Sequence, residues 1–182
     1  MEEFSIYTIE SAPEASRSAL RDVQARFGTI PNLAGAMALS PVLINAFVPI
    51  FDKVHGGNFT EAQIQTVLLT DAVTNASSWA VALHTALGLK AGLDAADVEA
   101  IRGGRSPSDG KLGALSTLAR TLIEKRGRLD DRDIGRFLEA GFSRALLLEV
   151  VTIVAASTIT NYTGSITRPP LEDWLQAHAW NG

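Results

Sequence analysis

Cysteine is missing from all 182 positions of the chain. Its absence excludes disulfides, thiolate metal sites and cysteine nucleophiles together, and leaves the compartment open. A basic face is missing too. Net charge is −4, the isoelectric point is about 5.4, and the densest cationic stretch is only Lys125-Arg126-Gly127-Arg128, directly after Glu124. That is too little to follow a phosphate backbone, so nucleic acid is not an expected partner. The opening MEEFSIYTIE is acidic and lacks the basic-then-apolar order of a signal peptide. The longest apolar run, 145–159, is interrupted by Glu149, Thr152, Ser157 and Thr158, and is too short for a bilayer. A soluble cytoplasmic protein with no membrane partner is the expectation. Internal repeats and low-complexity segments are also absent. No two histidines or carboxylates stand at metal-ligand spacing, and neither Gly56-Gly57 nor Gly103-Gly104 follows a strand as a nucleotide loop would. No metal and no cofactor are expected.

What is present is apolar mass: 46% of the residues are hydrophobic, enough for one domain spanning 1–182 with a substantial core. Helical spacing recurs along the chain, while sustained alternation with hairpin turns does not. Pro13 starts a first helix to about Phe27, the loop Gly28-Thr29-Ile30-Pro31-Asn32 ends it, and a short helix runs from Leu33 to Leu39. Ser40-Pro41 is a cap followed by a first-turn proline and opens a helix towards His55. Thr60 caps the next, with Ile64, Val67, Leu68 and Ala72 on one face. After a polar break at Asn75 a further helix runs from about Ser77 to Lys90. Asp94 and Asp97 resemble a capping box for a short helix to Ile101. Leu112, Leu115, Leu118, Ala119 and Leu122 mark an amphipathic helix, and Asp130 and Ser143 cap two more. The helix after Ser143 is apolar on nearly every side, which predicts burial in the core or against another subunit. Its β-branched run also reads as a strand, but its length and lack of turn residues favour helix. Arg168-Pro169-Pro170 precedes a last amphipathic helix holding Trp174, Leu175 and Trp180. The fold class is all-α.

Residues 75–84, Asn-Ala-Ser-Ser-Trp-Ala-Val-Ala-Leu-His, carry the most information. Ser77, Ala80 and His84 lie along one helix face, and Ser77 falls near the helix N-terminus. There, free backbone N–H groups and the dipole favour negative charge, so a cysteine would have a lowered pKa.

This layout resembles the carboxymuconolactone decarboxylase and AhpD-like alkylhydroperoxidase superfamily. Its signature is a glutamate about one helix before Asn-x-Cys-x-(Tyr or His)-Cys-x-x-x-His, within a core motif falling at 60–92 here. Phe27-Gly28-Thr29-Ile30-Pro31-Asn32, Ser40-Pro41, Asn161-Tyr162 and the terminal Ala177-His178-Ala179-Trp180 also look familiar. The resemblance implies an AhpD-like helical bundle that assembles with itself as a dimer, trimer or trimer of dimers. Here Ser77 and Ala80 stand at the two cysteine positions, Trp79 lies between them, and Gln65 falls at the relay glutamate. Only Asn75 and His84 remain, so thiol peroxidase activity is predicted absent.

Ser77 and His84 are seven positions apart, about 10 Å along a helix axis, and histidine leans back towards Ala80, so a direct hydrolytic dyad is rejected. His84 is the candidate proton-transfer residue. Gln65, Asn75, Ser77, Trp79 and Ala80 are the candidate substrate contacts, with helix capping and core packing the competing roles for the same side chains. The expected activity is decarboxylase-like chemistry on a small organic acid or lactone. The alternative is a ligand-binding or assembly protein on the same scaffold. A third assignment, thiol peroxidase, follows from likeness alone and lacks its residues.

Overall fold

Helix α4 (Glu61–Thr74) is buried at every residue from Ile64 to Ala72, which makes it the centre of the structure. Thr60 starts it with a reciprocal capping box, accepting from the Gln63 N–H while the Gln63 side chain accepts from its own N–H. Its threonines survive burial because each hydroxyl donates to the carbonyl one turn back: Thr66 to Ala62 at 2.9 Å and Thr70 to Thr66 at 2.8 Å. The structure, a computed structural model, describes residues 4–182, and no strand occurs among them. The other helices are α1 (Arg17–Phe27), α2 (Asn32–Met37), α3 (Pro41–His55), α5 (Ser78–Lys90), α6 (Ala95–Arg102), α7 (Gly110–Glu124), α8 (Asp131–Glu139) and α9 (Arg144–Thr167). One 3-10 turn, Glu14–Ser16, leads into α1, and another, Asp173–His178, closes the chain.

The core has two lobes. One joins α1, α2, α3, α5 and α6 through residues such as Leu20, Met37, Ile44, Val81 and Ile101. The other joins α7, α8 and α9 through Leu115, Phe137, Val150 and Ile153. α4 feeds both, giving Leu69 and Ala72 to the first and Ile64, Val67 and Leu68 to the second. Phe47 and Leu112 also touch both lobes, so the apolar interior is continuous.

Several sequence expectations need correction. Asp94 caps α6 through the Ala96 N–H at 2.8 Å, but Asp97 completes no box. Its carboxylate instead accepts from the Ser108 N–H and hydroxyl, pinning the loop before α7. The last segment is a 3-10 turn rather than an amphipathic α-helix, and Trp180 lies beyond it. Tertiary contacts hold it: Arg102 donates to the carbonyls of His178 and Ala179, and the Trp180 indole N–H donates to the Arg102 carbonyl. α9 extends to Thr167, so the helix has 24 residues, with a mean hydropathy of 1.5 over its most apolar 18, and is by length and composition alone long and apolar enough to cross a membrane, unlike the shorter apolar run. Within the single chain one side of it is buried. Val150, Ile153, Ala156 and Ser157 face the core, whereas Leu148, Val151, Tyr162 and Ile166 are exposed.

Candidate active site

Ser77 stands at the N-cap of α5, as its spacing predicts, but its side chain makes no capping bond. The turn before it is strained, with Ala76 in the left-handed region at φ 51°. Asn75 ends α4, its amide donating to the Asp71 carbonyl at 2.9 Å. The Ser77 hydroxyl points at α9, 3.4 Å from where a Cβ on Gly164 would sit. Trp79 is buried and donates its indole N–H to Glu172 at 2.9 Å, while the other Glu172 oxygen accepts from the Asn32 N–H at 2.6 Å. One carboxylate thus ties α5, the start of α2 and the C-terminal segment together.

His84 sits in the middle of α5, against α4. One turn on, Gly88 leaves room for Leu93 of the following loop, 3.0 Å from where a Cβ would sit, and lies in ordinary contact range of Gln65 on α4. Across this contact His84 Nδ1 meets Gln65 Oε1 at 2.9 Å. Gln65 Nε2 donates to Glu61 Oε1 at 2.6 Å, and Glu61 Oε2 meets His55 Nδ1 at 3.0 Å. The side chains therefore form one chain, His84–Gln65–Glu61–His55, running from α5 through α4 to the end of α3.

The polarity of this chain is fixed from Glu61. Its pKa is lowered, first by the His55 hydrogen bond and then by that of Gln65, so the carboxylate is ionised and can only accept. Its place in the first turn of α4 adds the favourable helix dipole. The Gln65 amide must then present nitrogen to Glu61 and oxygen to His84. His84 consequently carries its proton on Nδ1 and keeps the lone pair on Nε2. Burial first and the nearby His55 second, with Glu61 opposing, lower the His84 pKa to about 3, so the ring is neutral. Gln65 passes polarity along this chain but no proton.

Two hollows meet at His84. An inner cavity of about 60 Å³ is lined chiefly by apolar side chains of α1, α2, α3 and α5, among them Leu33, Met37, Val48 and Trp79, with Ser157 and Thr160 of α9 as its polar floor. An outer cleft of about 830 Å³ carries Glu61, Gln65, Lys90, Trp174 and His178. Arg26, Phe27, Phe51, His55, Leu83 and His84 line both, so they form the passage between the two. Arg26 there is paired with Asp52. Among the described residues no group of three or more metal-ligating side chains occurs.

Of the sequence-derived site residues, the structure brings Gln65, Trp79 and His84 to these hollows. Asn75, Ser77 and Ala80 line neither. Sequence reasoning missed Glu61 and His55. Glu61 was signalled only by its i, i+4 spacing to Gln65, and His55 by ending a helix shortly before it.

Solved structures give the architecture a counterpart. An AhpD-core, peroxidase-related protein from Ralstonia eutropha JMP134 superposes with a TM-score of 0.83 at 16% identity, over 95% of this chain and 93% of that one. The chain has the AhpD-like helical fold. A peroxidase-related protein from Silicibacter sp. TM1040 matches this AhpD-like chain with a TM-score of 0.79 at 14% identity, covering 97% of this chain and 94% of that one. The debrominase Bmp8 also scores 0.79 at 14% identity, covering 96% and 95%. A cysteine-to-alanine variant of Bmp8 has been solved with 2,3,4-tribromopyrrole. No protein-family model matches the sequence, and no curated protein is similar to it. On this AhpD-like fold the hydrogen-bonded groups between α3, α4 and α5 are imidazole, amide and carboxylate, with no thiol.

Proposed function

We propose that the chain is a thiol-independent enzyme of the AhpD-like scaffold, acting on a small organic acid or lactone with His84 as the proton-transfer residue. One observation carries this reading: a neutral imidazole, locked as the Nδ1–H tautomer by Gln65, at the passage between an apolar cavity and an open cleft. An imidazole with a pKa of about 3 is a poor base while the site is empty. It becomes a competent one as negative charge develops on a substrate beside it, because that charge stabilises the imidazolium. The outer cleft, about 830 Å³, has room for a small ring beside His84, and the apolar hollow of about 60 Å³ has room for a substituent of it. The Bmp8 variant, too, was solved with a small ring compound. Purified protein is expected to turn over no alkyl hydroperoxide with any dithiol reductant. It should turn over a small lactone or carboxylic acid, and His84→Ala should lose that turnover. Sustained peroxide consumption that vanishes in His84→Ala would overturn the reading. The apolar lining favours one alternative, a ligand-binding protein, which predicts saturable binding with no turnover.

The same proposal makes the protein a cytoplasmic homo-oligomer. Leu148, Val151, Tyr162 and Ile166 recur at three-, four- and eleven-residue intervals along α9, with Leu148 68% and Ile166 66% exposed. Such a stripe is the apolar seam that a second helix covers. Light scattering is expected to give a dimer or larger assembly, and Ile166→Glu to shift it towards monomer. A monomeric wild type at tens of micromolar contradicts it.

A further inference from the structure

His55 stands apart from the motif helix, yet the chain of hydrogen bonds leads to it. Glu61 is an obligate acceptor, so His55 must carry its proton on Nδ1 to make the 3.0 Å contact. Its Nε2 is buried and has no partner among the described residues, on a side chain that lines both the inner cavity and the outer cleft. A buried imidazole nitrogen without a partner is a cost that folding alone does not explain. His84 shows the matching arrangement: Nδ1 engaged, with Nε2 making no hydrogen bond and its ring lining the same two hollows. Two imidazoles of one tautomer therefore stand at one passage, joined by a carboxylate that touches His55 directly and reaches His84 only through an amide.

We propose that His55 is a second proton-transfer residue of this site, giving a proton to the substrate at one position while His84 accepts one from another. The proposal rests on the reading of the site as a proton-transfer site. The asymmetry of the chain assigns the roles. The Glu61 carboxylate lies directly against the His55 Nδ1–H and so pairs the imidazolium form that donates from Nε2. Gln65 keeps that carboxylate off His84, whose burial holds it neutral, the acceptor state. Gln65 also stops the proton from short-circuiting between the two rings. The charged and titratable groups around His55 are Glu61 from α4, the Arg26–Asp52 pair from α1 and α3, His84 from α5, and His178 across the cleft.

A β,γ-unsaturated γ-lactone is the probe. The α C–H bond breaks and its proton passes to His84 Nε2. The electron pair spreads into the dienolate, which takes a proton at the γ carbon from His55 Nε2. The product is the α,β-unsaturated isomer, and water in the outer cleft resets both rings, so no co-reactant is consumed. In D2O the wild type is expected to give isomer labelled at the γ carbon. His84→Ala should lose both α-exchange and isomerisation. His55→Asn, whose amide nitrogen keeps the Glu61 contact while removing Nε2, should retain α-exchange but slow isomerisation by about 100-fold, in kcat rather than KM. Nitrogen NMR of the wild type should show both rings protonated at Nδ1 when neutral, a readout that does not depend on any variant folding. Equal loss of exchange and isomerisation in His55→Asn, no loss of either, or a neutral His55 protonated at Nε2 overturns this assignment alone. A wild type inert towards the lactone overturns the proton-transfer reading of the site, and this assignment with it.

Discussion

Moving the half-exposed carboxylate one helical turn inward, with Glu61→Gln and Gln65→Glu together, is expected to raise the His84 pKa from about 3 towards the ordinary imidazole range. In the wild type the only carboxylate of the relay is separated from His84 by the Gln65 amide, so burial dominates and the ring stays neutral. In the double variant the carboxylate accepts the Nδ1–H directly and stabilises the imidazolium. The exchange conserves charge, which is why both substitutions are needed. Gln65→Glu alone would place two carboxyl groups in contact, and they would share a proton rather than add a charge. Proton NMR of the imidazole during a pH titration reads the result. A His84 that still titrates near its wild-type position would show that the amide is not what isolates it.

The same shift has a consequence for stability. The folded His84 pKa lies below its ordinary value of 6.5, so between the two the unfolded chain takes up a proton that the folded chain refuses. Stability from this group is complete above pH 6.5 and falls as pH drops towards about 3. Its upper limit is about 5 kcal/mol. The double variant should lose less stability over this window.

Asp71→Asn is expected to stabilise the protein at neutral pH by about 1–3 kcal/mol. Asp71 is fully buried on α4, and neither carboxyl oxygen has a hydrogen-bond partner among the described residues. Desolvation raises its pKa well above the ordinary 3.8. Ser157 beside it opposes this, but its hydroxyl does not reach hydrogen-bond geometry with either oxygen. The sign here is opposite to that of His84. Above pH 3.8 the unfolded carboxyl ionises while the folded one keeps its proton, so stability falls as pH rises. An asparagine keeps the shape and removes the ionisation. On the neighbouring helix the Asn161 Oδ1 is also buried without a partner, while the amide of Asn161 donates to Ser157 at 3.1 Å. Urea unfolding should show the gain of Asp71→Asn growing from acid to neutral pH. A loss of stability that is the same at every pH would mean that the Asp71 carboxyl is hydrogen-bonded in the folded protein.

The sequence by itself determined what depends on neighbours along the chain. Helices are built from contacts three and four residues apart, so α1 to α9 were legible from spacing and caps, including Ser40-Pro41, Thr60, Asp130 and Ser143. The lack of cysteine, the motif helix and the position of His84 within it were equally local facts. Tertiary structure alone decided which of these residues share a site. Gln65 and His84 meet because α4 and α5 pack face to face, and Trp79 lines only the hollow on the other side of His84. Asn75 instead bonds back to its own helix, Ser77 faces α9 and Ala80 is buried in the core. Gln65 is correctly read as unable to carry a proton, but the carboxylate was not lost from the network. It lies one turn earlier, at Glu61, and partners a histidine from a different helix. The pairing of Asp97 with Ser108, the 3-10 ending held by Arg102, and the half-exposed α9 have the same origin. Helical periodicity fixes which side chains share a face. Only the packing of one helix on another fixes what that face meets.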